Sequence, residues 1–116
     1  MRRAFGLLLA LTACATEAPQ VTPPACPDDL PGACPSPAPR WTGQVDAIVA
    51  AKCTSCHQPG AQAPSPTFHT YTLAVAAAQR IEMQVYGCRM PLGTAPQLTT
   101  DERAAILGWV VCGMPE

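Results

Sequence analysis

The stretch Cys53-Thr54-Ser55-Cys56-His57 decides how the rest of the chain is read. Two thiols three positions apart lie on one helical turn, so each reaches one of two neighbouring vinyl groups of a haem. The adjacent imidazole of His57 then projects at the iron. A thioredoxin-like redox pair would need a βαβ context, and no strand pattern flanks these residues. A structural zinc site would have to gather Cys53, Cys56, Cys88 and Cys112 as thiolates, which suits a reducing compartment. The pentad predicts one covalently held haem, with Cys53 and Cys56 as the attachment points and His57 as an iron ligand.

Upstream, Met1-Arg2-Arg3 is followed by an apolar run from Ala4 to Leu11 and then Thr12-Ala13-Cys14. This is the layout of an export signal, too short to be a spanning helix. Leu11-Thr12-Ala13-Cys14 resembles a bacterial lipobox, which makes residues 1–13 a signal peptide and Cys14 the lipid-bearing N-terminus. Between residues 14 and 39 stand eight of the fourteen prolines, with no periodic apolar pattern, so this stretch reads as an extended tether. The expected location is the periplasmic side of a bacterial membrane, reached through the lipid anchor alone.

Downstream, residues 40–116 read as one small all-α domain. Thr42 is placed to cap a helix from Gly43 to about Cys53, with Val45, Ile48 and Val49 at helical spacing. Gln58 to Pro66 carries three prolines and is a loop. Thr70 to Tyr86 has Leu73, Ala77, Ile81 and Val85 every fourth residue and Gly87 at the stop. Thr99-Thr100-Asp101-Glu102 forms a capping box for a third helix to about Cys112, with Leu98, Ile106, Trp109 and Val110 facing inward. Aromatics make up only 5% of the chain, so a bound prosthetic group would supply much of the apolar mass of the core.

On the pentad and these segments, residues from about Arg40 to Pro115 resemble the small class I c-type cytochromes. The resemblance implies a few helices wrapped round one haem, with the terminal helices crossing and Trp109 packed on the first. It implies that Met90, in Cys88-Arg89-Met90-Pro91, is the axial ligand opposite His57, raising the reduction potential and closing the sixth position. It also implies that a carbonyl of the Gln58–Pro66 loop accepts from the second nitrogen of His57, with Pro59, Pro64 and Pro66 as unranked candidates. His69 is the other possible axial ligand, though it reads first as a surface histidine or a partner of a haem propionate, while Met83 and Met114 are weaker candidates than Met90. Arg80, Arg89 and Tyr71 are placed to meet haem propionates. The function implied is one-electron transfer to redox protein partners, without catalysis. The alternatives are a haem subunit of a larger dehydrogenase or reductase, and a ligand sensor or peroxidase with an open sixth position.

From Arg40 onward five basic residues face five acids, with no basic patch or charge run, so nothing in the charge argues for nucleic acid and none is expected as a partner. Once Cys14, Cys53 and Cys56 are set aside, Cys26, Cys34, Cys88 and Cys112 remain, an even number in an exported chain, and they allow three pairings. The expected pairing is local, Cys26–Cys34 within the tether and Cys88–Cys112 from the Met90 loop to the end of the third helix. The second bridge would hold Met90 on the iron.

Overall fold

Thr70 starts the longest helix, α2 (Tyr71–Tyr86), by accepting a hydrogen bond from the Leu73 amide at 3.4 Å. Thr99 starts α3 (Thr100–Val111) within a complete capping box. Its hydroxyl accepts from the Glu102 amide at 3.1 Å, and the Glu102 carboxylate accepts from the Thr99 amide at 2.8 Å. Both helices agree with the sequence reading to within a residue. The computed structural model describes residues 25–116. The signal peptide, Cys14 and the first part of the tether lie outside the described residues. Among those described there are three helices and no strand, so the domain is all-α.

The first helix departs from expectation. Thr42 makes no side-chain cap, and Trp41–Val45 form an irregular wide turn in which Thr42 (ψ 121°) and Gly43 (φ +79°) leave helical dihedrals. Helix α1 proper is shorter, Asp46–Lys52. The left-handed step at Gly43, which glycine takes without steric cost, lets both Trp41 and Val45 turn into the core.

Trp109 is fully buried and meets Trp41 with ring centroids 5.6 Å apart, and Trp41 in turn meets Tyr71 at 6.1 Å. The C-terminal tail satisfies the polar edges of this cluster. Pro115 O accepts from Trp41 N at 2.9 Å and from Trp109 Nε1 at 3.0 Å, and Met114 O accepts from the Tyr71 hydroxyl at 2.9 Å. Trp109 therefore packs on the turn before α1 rather than on a continuous first helix.

The largest correction concerns the proline-rich stretch and its cysteines. Residues 25–39 have no regular secondary structure, as expected, yet they are strapped to the domain. The bridges are Cys26–Cys88 and Cys34–Cys112, with Cα separations of 5.8 and 4.6 Å. Neither local pairing forms. An extended segment with Pro27 and Pro31 between its cysteines keeps Cys26 and Cys34 apart, so each sulfur finds a partner at a different end of α3. The strap runs alongside α3 from Arg103 toward Cys112. These bridges close loops of 62 and 78 residues, each stabilising by about 4 kcal/mol in the chain-entropy model, against about 3 kcal/mol for the shorter loop expected from the sequence.

Noncovalent contacts direct this docking. Arg103 lies buried in the first turn of α3 and holds Asp29 through both oxygens, Nε to Oδ2 and Nη2 to Oδ1, each at 2.7 Å. Its remaining donors reach the carbonyls of Val85, Tyr86 (3.0 Å) and Pro27 (3.4 Å). Farther along, Pro35 and Pro39 cross α3 at Gly108, where an added Cβ would stand 3.1 Å from each ring. Replacing Gly108 with Leu is expected to lower stability by about 1–3 kcal/mol in urea unfolding. This runs against the helix preference, by which glycine costs about 1 kcal/mol. Unchanged or raised stability would show that the proline crossing contributes nothing.

Candidate cofactor site

Helix α1 ends at Lys52, and its C-cap Cys53, at φ −122°, leads into a separate hydrogen-bonded turn that carries the pentad. The Cys53 amide donates to Val49 O at 2.9 Å, the Cys56 amide to Cys53 O at 3.2 Å, and the His57 amide to Cys53 O at 2.9 Å. Cys53 and Cys56 are the free cysteines among the described residues, and both are partly buried. Burial pushes the Cys53 thiol up to about 11. A redox C-x-x-C thiol needs the opposite shift, so the environment here counts against the thioredoxin-like reading. The zinc reading loses two of its four ligands, because Cys88 and Cys112 are each tied to the strap. Among the described residues no group of three or more His, Cys, Asp or Glu is arranged to hold an ion.

His57 Nδ1 lies 3.1 Å from Pro66 O, so of the three prolines in the loop it is Pro66 that supplies the carbonyl. A carbonyl only accepts, which places the ring proton on Nδ1 and leaves the Nε2 lone pair for a metal. Buried Phe68 backs the imidazole, with ring centroids 4.8 Å apart and planes tilted by 31°. The imidazole is thus fixed by one hydrogen bond and one aromatic face.

A single cavity of about 990 Å³ brings Cys53, Cys56, His57 and Met90 onto one lining. Its walls are mainly apolar, with Ile81 and Val85 from α2 and Ile106 from α3 opposite the pentad. The volume stands at the upper end of the range for sites that take a large organic ligand. Among the described residues, the formally charged side chains on this lining are Lys52 and Arg80, both cations. Arg89 and Tyr71 do not line it, and the Tyr71 hydroxyl is committed to Met114 O. His69 is exposed and also absent from the wall, whereas its neighbour Phe68 is buried in it. Met114 packs against the core, away from the cavity. Met83 does line the cavity but is 58% exposed.

Three residues that frame the site carried no signal in the sequence. Gln97 donates from Nε2 to Leu92 O at 2.7 Å and Ala95 O at 2.9 Å, closing the loop that follows Met90. Lys52 donates to Gln97 O at 2.9 Å and pairs with Glu102 at 3.5 Å, linking α1 to this loop and to α3. Arg103 reaches the Cys88 sulfur at 3.6 Å, two residues before Met90. Lys52 and Arg103 act between segments distant in sequence, whereas Gln97 acts within its own loop.

No family model, curated protein or solved structure matches the chain.

Proposed function

We propose that the chain is a one-electron carrier with one covalent haem, attached through Cys53 and Cys56 and ligated by His57 and Met90. The observation that carries this reading is the shared cavity, where two free thiols, an imidazole with its Nε2 lone pair available and a thioether line one largely apolar space. When bound, haem iron alternates between ferric and ferrous states and supplies the electron transfer. The chain's own residues attach it, orient the His57 ring through Pro66, and exclude water with Val85, Ile106 and Phe68. Lys52 and Arg80 offer positive charge to its carboxylates. With both His57 and Met90 on the cavity wall, a haem held by the two would have no position left for substrate, and on that ground a carrier is proposed rather than a peroxidase or ligand sensor. Met83 and Leu92, each 58% exposed on the cavity rim, give redox protein partners an apolar approach.

The test is an absorption spectrum of the protein made in a periplasm, oxidised and reduced, followed by acid–organic extraction. The expected result is a low-spin haem spectrum and haem that stays with the polypeptide. Complete extraction of the haem would refute covalent attachment.

Export and anchoring through Cys14 belong to the same proposal. The two strap disulfides support an oxidising compartment, and among the described residues no helix is long and apolar enough to cross a membrane. Cys14→Ser is expected to move the protein out of the membrane fraction or to block its maturation. Membrane association unchanged by this substitution would rule the anchor out.

A further inference from the structure

Met90 follows α2 on a short loop whose start is held from four directions. The Cys88 amide donates to Val85 O at 3.0 Å, and the amides of Arg89 and Met90 share Gln84 O at 2.9 and 3.2 Å. Cys88 itself stands at φ +53°, a left-handed conformation that residues other than glycine rarely keep unless held. The hold comes from outside the loop. Cys88 is bonded to Cys26 of the strap, and Arg103 donates to Val85 O, to Tyr86 O and toward the Cys88 sulfur while its other edge grips Asp29. Strap, α3 and the start of the Met90 loop thus meet at one buried guanidinium.

We propose that the Cys26–Cys88 bridge and the Asp29–Arg103 pair make the strap a positioning element for Met90, holding its thioether in the cavity. The inference rests on the haem reading and adds a role for a segment that the sequence presents as a tether. A thioether is a weak, neutral ligand, and the loop that carries it is short of regular structure. Any freedom at Cys88 is passed on to Met90 two residues later. The second bridge supplies an internal control: Cys34–Cys112 fastens the same strap at the C-terminal end of α3, away from the Met90 loop, while closing a loop of comparable length.

The experiment compares haem-loaded full-length wild type, Cys26→Ser/Cys88→Ser and Cys34→Ser/Cys112→Ser. The readouts are the red charge-transfer absorption of a methionine–iron bond, carbon monoxide binding by the reduced protein, and thermal unfolding. The Cys26→Ser/Cys88→Ser protein is expected to lose at least half of that absorption and to bind carbon monoxide. The other double variant is expected to keep the absorption and stay closed, although both unfold at lower temperature. Equal loss of the absorption in both variants, or full retention in the first, overturns the proposal and leaves the strap a plain staple. Absence of the absorption from wild type overturns Met90 ligation itself, and with it this role. Should the first variant fail to accumulate, Asp29→Asn keeps both bridges. In it the absorption is expected to bleach at a temperature below helix unfolding, and bleaching only together with the helices overturns the proposal.

Discussion

Replacing Cys53 and Cys56 together with serine is expected to leave no haem bound to the polypeptide after acid–organic extraction. A serine hydroxyl does not add to a vinyl group, so each substitution removes one thioether and the pair removes both. The single variants are expected to keep one bond and retain haem in reduced yield. His57→Ala leaves both thiols in place, so its expected effect differs: haem still attached, but without the normal low-spin spectrum, because the imidazole held by Pro66 O at 3.1 Å is gone. The measurements are haem stain on denaturing gels and the mass of the intact chain. Haem retained on the double serine variant would mean that its linkage runs through other residues, and the pentad would lose its meaning.

Arg103→Ala is expected to lower stability by about 3 kcal/mol, because the carbonyls of Val85 and Tyr86 lose charged donors and Asp29 loses its partner. At about 4–8 °C per kcal/mol for a domain of this size, the thermal midpoint falls by roughly 15 °C. Asp29 is the more exposed partner, so Asp29→Asn is expected to cost less, about 1–2 kcal/mol. The pair also sets an acid dependence. The Arg103 guanidinium holds the Asp29 carboxyl below its ordinary value of 3.8, mainly through their hydrogen bonds. The unfolded chain therefore takes up this proton first as pH falls, so the stabilisation is complete well above the unfolded value of 3.8 and is lost progressively as pH falls through the lower folded value. Urea unfolding of wild type and Asp29→Asn at pH 7 and pH 3 checks this. The gap between them should narrow at pH 3, and an unchanged gap would show that the ion pair is not what Asp29 contributes.

The two long helices were legible because their signals are local. Thr70 and the Thr99–Glu102 box satisfy amides within three residues of themselves, and the apolar spacing of each helix needs no partner to be seen. The first helix was misread at its start because Thr42 has the side chain of a cap, while burial of Trp41 and Val45 calls for the left-handed step at Gly43. Tertiary packing outweighed a local preference there.

The chemistry of the candidate site stood in the sequence as residue types at fixed spacing: Cys53, Cys56 and His57 share one turn just past α1, closed by the Cys56 and His57 amides on Cys53 O. Composition likewise marked residues 25–39 as extended, since proline dictates backbone dihedrals wherever it stands. What that extended segment touches was decided only in three dimensions. Pairing of Cys26 with Cys88 and Cys34 with Cys112, selection of Pro66 among three prolines, and convergence of Met90 and the pentad on one cavity all depend on contacts across many residues. The strap contacts form because Arg103 must neutralise its buried charge and Gly108 leaves room for two proline rings, and neither requirement is visible until α3 has a neighbour.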